Sequence, residues 1–406
     1  MKEQPVSYTD DQLASLVSAP ESAGLERKAS FSDKDKICKT LCAFANDLAN
    51  TRKPGLLWLG IADDGRVAGL DATDTLLQKI DQIKAEGKIQ PLPSLTVRQI
   101  MHEGKALIAL VVAPSSLPPV AYDGRIWVRM AASTQLASKE DERLLAERRR
   151  AASGRSFDSE GVPQASLRDL NRTYFESTYL PQAVAQDMLD ANGRTWEERL
   201  VATRMAIGMA PVIPTVAGLL TTALSPQDWL AGAYVQFIRY AGIEHGGDIV
   251  DEKRITGNLE DVINGTEAIF KAHIQTAVHI TGQDRERRQA DYPLAALQQL
   301  FRNAILHRNY EGTNAPVRVY WFDDRIEIAN PGGPYGAVTV DNFGKPYATD
   351  YRNPVVAEVL FNLKFVQKFG FGIQNARKLL ADNGNGEPRF EPSQTMVVAT
   401  IPRAQA

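Results

Sequence analysis

Apolar residues recur along this chain with two different periods, and the switch between them marks the elements. Leu294, Leu297, Phe301, Ala304 and Ile305 return at helical spacing, while Gln299, Asn303 and His307 share the opposite face. YPLAALQQLFRNAILHRNY therefore predicts an amphipathic helix entered at Pro293, whose missing N–H would be unpaired there anyway, and finished by Gly312. VRVYWFDDRIEIANPGG then predicts two strands joined at Asp323-Asp324 and ending in Asn330-Pro331-Gly332-Gly333, where glycine lets backbone approach a ligand closely. A last strand is expected from Met396 to Ile401.

Upstream, Thr9-Asp10-Asp11-Gln12 is a capping-box pattern for a short helix. A second helix from Asp33 presents Ile37, Leu41, Phe44, Ala45 and Leu48 on one face. A buried strand, GLLWLGI, runs into the hairpin signal Asp63-Asp64-Gly65. A helix through Leu76, Leu77, Ile80 and Ile83, strands near 95–101, 106–113 and 125–130, and a charged helix over 139–150 complete a compact α+β domain. The small and polar AASGRSFDSEGVPQA reads as a linker. Beyond it the pattern is mostly helical, broken at Pro181 and Gly193, with a strand-like run over 233–240 and a helix near 259–280. The expected organisation is thus a domain at 1–150, a linker at 151–165, a mostly helical connector at 166–290 and a C-terminal module at 291–406.

Composition narrows the partners. With 46 Lys+Arg against 49 Asp+Glu the net charge is -3, so nucleic acid would have to be met by a local patch. No apolar run approaches the roughly 18 residues that span a bilayer, and Met1-Lys2-Glu3-Gln4 begins no secretory signal, so a cytoplasmic protein is expected. Cys38 and Cys42 sit one helical turn apart and read as packed helix residues; the five histidines are scattered and predict no zinc site.

Four motifs in order, Asn303-Ala304 with His307-Arg308 and Tyr310, then Asn330 to Gly333, Arg352-Asn353-Pro354, and Gly370-Phe371-Gly372-Ile373, resemble the divergent GHKL ATPase module found at the C-terminus of many helicase-like bacterial proteins. The resemblance implies a Bergerat-type α/β sandwich that binds ATP with Mg²⁺ through Gln299, Asn303, His307, Asn330, Gly332, Gly333, Arg352, Gly370 and Gly372. In that reading Asn303 offers an amide oxygen to Mg²⁺, Asn330 stands where most relatives place an adenine-reading aspartate, Gly332 and Gly333 admit the nucleotide, and Gly370 and Gly372 bring a helix N-terminus to the phosphates. Gln299 departs from the pattern. Relatives carry a glutamate there, and an amide cannot take a proton from attacking water, so binding is expected with weak or no hydrolysis.

The N-terminal stretch, through Glu21-Ser22, Glu26-Arg27-Lys28, Cys42 to Asn46 and Gly60 to Gly65, resembles the Schlafen AlbA-type domain, except that Asp47 to Pro54 intervene before a single Gly55. Some members of that family cleave tRNA or rRNA. By resemblance Glu21, Glu26 and Asp63, with Asp64 as understudy, would hold Mg²⁺ or Mn²⁺ and Lys28 would balance charge at the phosphate. Each also has an ordinary reading as a surface acid, an ion pair or a turn residue. Arg27, Lys28, Lys39 and Arg129 are the candidates for sequence-independent phosphate contacts. The chain ends soon after the last expected strand, so an added winged helix is not expected. Three functions remain open: a nucleotide-gated nucleic-acid-binding protein with a regulatory or defence role, including transcription regulation; a metal-dependent endoribonuclease acting on tRNA-like RNA; and an interaction scaffold. Both resembled families often dimerise, so a homodimer is expected.

Overall fold

In the computed structural model, residues 8–71, 74–191, 193–281, 285–367 and 370–404 are described, with 277–281 and 285–288 as backbone alone. The chain is mixed α/β and divides into two compact units, Met1–Gly154 and Arg155–Ala406.

In the first unit the Thr9 side chain and Gln12 close the capping box of the helix Asp10–Leu16. The main sheet runs in the order Leu25–Lys28, Gly55–Leu59, Lys105–Val112, Leu95–His102, the first pair parallel and the others antiparallel. Every residue of Gly55–Leu59 is buried, because both faces of the strand are covered. Leu57 and Leu59 pack against Ile37, Leu41 and Phe44 of the helix Lys34–Asn46, while Leu56 and Trp58 face Leu13 and Val17. Gly55 is required where it stands, since a Cβ there would lie 2.2 Å from the Phe44 ring. A second small sheet, Ile89–Gln90, Ala121–Tyr122, Arg125–Met130, Ser133–Leu136, is bolted to the same helix by Asn46. Its amide donates to the Val120 and Trp127 carbonyls at 2.9 and 2.7 Å and accepts from the Val120 N–H at 2.7 Å. The inserted loop closes on itself, with Asp47 accepting from the Thr51 and Arg52 N–H groups.

The second unit is built on a six-stranded sheet in the order Ile249–Ile255, Val235–Tyr240, Val317–Trp321, Arg325–Pro331, Met396–Pro402, Arg389–Pro392. Val235–Tyr240 runs parallel to Val317–Trp321; the other neighbours are antiparallel. Alternation puts Val235, Phe237, Val319, Trp321, Ile326 and Ile328 on one face, against Phe270, Leu297, Phe301 and Ile305 of the helices Leu259–His273 and Leu294–His307.

This arrangement corrects the expected connector. Residues 166–290 supply two strands of that sheet, and Leu170, Phe175, Tyr179, Leu200 and Leu219 join the C-terminal core, because none of these short elements can bury its apolar side alone. The expected linker is folded as well. Asp158 is fully buried, and its carboxylate accepts from the Val355 and Val356 N–H groups at 2.7 and 2.9 Å, capping the helix Pro354–Asn362 from a distant part of the chain. Burial raises the Asp158 pKa against these bonds, which lower it. The basic residues 285–288 lie on a strand paired with Thr276–Thr281.

Candidate functional site

Between the helix-covered face of the six-stranded sheet and the helices Leu294–His307 and Gly372–Asn383 lies a cavity of about 170 Å³. Its lining includes all nine residues expected at a nucleotide: Gln299, Asn303, His307, Asn330, Gly332, Gly333, Arg352, Gly370 and Gly372. The periodicity explains the first three, because a helix that buries Leu297, Phe301 and Ile305 must turn Gln299, Asn303 and His307 toward the cavity.

Gly372 opens its helix beside these amides. A Cβ at Gly372 would stand 3.2 Å from Asn303 Nδ2 and 3.3 Å from Gln299 Oε1. The N-cap, Phe371, supplies no side-chain hydrogen bond, and the first turn carries no acidic residue. Its amides therefore face the cavity with the positive end of the helix dipole, an arrangement that suits phosphate. Asn303 fits a Mg²⁺ ion carried on such phosphates through its amide oxygen.

Asn330 lies near the end of its strand, paired with Val397, and is 7 % exposed. Its Oδ1 is buried without a hydrogen-bond partner in the protein. A buried amide oxygen left unmatched costs about 1 to 3 kcal/mol, and a donor that reached this atom would recover that cost. Ile328, Val397, Ala399 and Phe390 supply an apolar surround to that end of the cavity.

Three expected roles change. A Cβ on Gly332 would meet the Arg352 guanidinium at 2.2 Å, and one on Gly333 would meet the Ser393 carbonyl oxygen at the same distance, so both glycines make room for the protein itself. Arg352 is 5 % exposed and donates to the His307 and Gly333 carbonyls at 3.1 Å each, which makes it a brace between the helix end and the glycine turn. His307 stacks on Tyr351 with ring centroids 5.9 Å apart, and burial, seconded by Arg352, lowers its pKa to about 4. It is a neutral ring at pH 7. The sequence reading missed Lys345, an exposed cation in the cavity wall, and Gln374, whose Oε1 is also buried without a partner. Lys345 lies in an irregular stretch with no periodic signal, whereas Gln374 directly follows the G-F-G-I motif and was open to recognition.

The N-terminal candidates are arranged differently. Glu26 is buried and ion-paired with both Lys28 and Arg129. Glu21 accepts from the Arg27 N–H at 3.0 Å, while Asp63 and Asp64 are exposed on the turn at Gly65. Among the described residues no three His, Cys, Asp or Glu side chains converge to hold a metal ion, so Glu21, Glu26 and Asp63 do not form the expected cluster. The basic candidates are engaged too. Arg27 is 7 % exposed and donates to the Ala19 carbonyl. Arg129 is 6 % exposed and donates to the Ser22 and Leu25 carbonyls at 2.8 and 3.0 Å. Lys39 pairs with Asp35 and lies 4.5 Å over the Trp127 ring. Arg148, on the charged helix Lys139–Ala152, donates to the Asp47 and Leu48 carbonyls at the end of the helix Lys34–Asn46. Burial of both cysteines raises their thiol pKa values, to about 11 for Cys38 and about 12 for Cys42, so neither is a ready nucleophile.

An α/β unit with a cavity between sheet and helices, walled by amides and a bare helix start, is an arrangement that suits a phosphate-bearing ligand. Comparison with known families gives the particular combination. Residues 21–138 match the Schlafen, AlbA_2 family, and residues 314–401 match HATPase_c_4, described as "Putative ATP-dependent DNA helicase recG C-terminal". The chain joins a Schlafen AlbA_2 domain to a RecG-like C-terminal ATPase-type domain that is GHKL-like only loosely, and these are nucleic-acid-related and ATP-binding types of domain. The helix bearing Gln299, Asn303 and His307 precedes the second match, so those residues rest on the geometry.

Among solved structures, the DIP2311 protein from Corynebacterium diphtheriae is 18% identical over 100% of this chain and 67% of that one, with a TM-score of 0.45. The N-terminal domain of a "Putative ATP-dependent DNA Helicase RecG-related Protein" from Nitrosomonas europaea is 25% identical over 33% of this chain and 95% of that one, with a TM-score of 0.21. No curated protein matches the chain. Among the described residues no helix is long and apolar enough to cross a membrane.

Proposed function

We propose that this chain is a nucleotide-gated nucleic-acid-binding protein with a regulatory or defence role. ATP, carried with Mg²⁺ into the C-terminal cavity and hydrolysed weakly or not at all, sets how the N-terminal domain engages RNA or DNA. The observation that supports the nucleotide part is the meeting of Gln299 and Asn303 with the bare helix start at Gly372, in the cavity that also holds the unmatched Asn330 amide. Mg²⁺ would neutralise phosphate charge there. Asn303 would orient it, and Gln299 would position a water without deprotonating it. Phosphate contacts in the N-terminal domain fall to exposed cations such as Lys53, Lys88 and Arg125, because Arg27 and Arg129 are buried among their own partners.

Titration calorimetry with ATP and Mg²⁺ tests the first step: the wild type binds, and Asn303→Ala weakens binding by at least about tenfold, or 1.4 kcal/mol. Steady ATP turnover that disappears in Asn303→Ala would overturn the gate in favour of a motor. Gating is tested by titrating labelled tRNA and single-stranded DNA with and without ATP. If ATP changes the nucleic-acid Kd by some factor, nucleic acid must change the ATP Kd by the same factor, and a factor of one refutes the gate. Cleavage that requires Mg²⁺ or Mn²⁺ would replace this reading with a nuclease.

A further inference from the structure

We propose that Asn330 makes the cavity a purine site that accepts 6-oxo and 6-amino rings alike, so that GTP is a ligand of this chain as well as ATP. The inference rests on the nucleotide reading above. Asn330 lines the cavity, is 7 % exposed, and has its Oδ1 buried without a partner in the protein. The cavity has two chemically distinct ends. The helix start at Gly370 to Gly372 suits phosphates, while Ile328, Val397 and Ala399 surround Asn330 with apolar surface suited to a flat ring.

A side-chain amide carries a donor and an acceptor side by side, and rotation by half a turn about its last bond exchanges them. Adenine presents an amino donor beside the N1 acceptor, and guanine presents the O6 acceptor beside the N1–H donor. One orientation of Asn330 matches the first edge and the other matches the second. A carboxylate has no such freedom. It only accepts, so held in the register that the amide uses it would face guanine O6 with like charge and favour adenine, and guanine could pair with it only by sliding to present N1–H and the 2-amino group instead. Because Asn330 Oδ1 has no hydrogen-bond partner in the protein, no bond to that oxygen holds the amide in one orientation.

The test is calorimetry of the full chain with the Mg²⁺ complexes of ATP, GTP and CTP, on the wild type and on Asn330→Asp, with thermal melts confirming that the variant is folded. The expected result is ATP and GTP dissociation constants within tenfold of each other, CTP weaker than both, and a loss of at least tenfold for GTP relative to ATP in Asn330→Asp. A wild-type preference above a hundredfold for either purine overturns the inference and leaves the nucleotide reading standing. Equal binding of all three nucleotides, unaltered by the substitution, also overturns it, because the phosphates alone would then be held. Binding of none overturns both. If Asn330→Asp does not fold, Asn330→Ala takes its place, and an unchanged affinity for both purines in that variant refutes a base-reading role.

Discussion

Arg308 and His307 are neighbours in sequence and meet burial in different ways. Arg308 is 1 % exposed, has no carboxylate partner among the described residues, and relies on the Ala315 carbonyl at 2.8 Å and the Tyr310 ring at 4.7 Å. Burial lowers its pKa, which measures the strain of keeping a charge there. A buried charge without a counter-ion is often replaced at no loss by an apolar side chain of similar length. Arg308→Met is accordingly expected to melt at or above the wild-type temperature, and a fall of several degrees in a calorimetric scan would show that the guanidinium is a net stabiliser. His307 instead sheds its proton. With a folded pKa of about 4 against an ordinary 6.5, the unfolded chain binds the extra proton between those values, so stability falls as pH drops through that window and levels off below it. His307 is half-buried, so the wild type should lose at most about 3 kcal/mol from this group, and His307→Phe, which keeps a ring against Tyr351, should show a flatter urea-denaturation profile over the same range. Equal slopes would reject the assignment. Neither fate was legible in the sequence, where His307-Arg308 reads as a motif: burial and the lack of a counter-charge are set by distant elements.

At the scale of elements, legibility followed the range of the contacts. The Leu294–His307 helix was readable because its period is written in consecutive residues, and the same period placed Gln299, Asn303 and His307 together on the cavity side. Val235–Tyr240 could be suspected as a strand, but its parallel partner, Val317–Trp321, arrives only after three strands and two helices, and no local signal announces such a pairing. Arg27 and Arg129 were misread for a related reason: the carbonyls and the Glu26 carboxylate that claim them come from other elements. The helix start at Gly372 carries its own test. Gly372→Ala would place a methyl 3.2 to 3.5 Å from the Asn303 and Gln299 amides, so nucleotide affinity should fall by about tenfold while the melting temperature stays within a few degrees. An unchanged affinity would remove the helix start from the site.

The whole molecule divides at Gly154, not at the end of the small and polar run that looks like a linker. A fragment spanning Arg155–Ala406 should fold and bind nucleotide, whereas one beginning at Ser166 should be less stable by at least about 2 to 3 kcal/mol, having lost the Asp158 cap together with the packing of Phe157, Val162 and Ala165. Asp158→Ala in the full chain should reproduce most of that loss, and Asp158→Asn, which keeps an acceptor, should recover part of it in the same denaturation assay. Equal stability of the two fragments would show that the cap adds nothing. The cap also has a mechanical meaning. The chain leaving Gly154 is fastened within a few residues to the helix that begins at Pro354, directly after Arg352, the brace between His307 and the glycine turn. Tension entering at Arg155 would therefore load the Asp158 latch before any strand of the sheet, and its release would reach the cavity wall through the helix that follows Arg352.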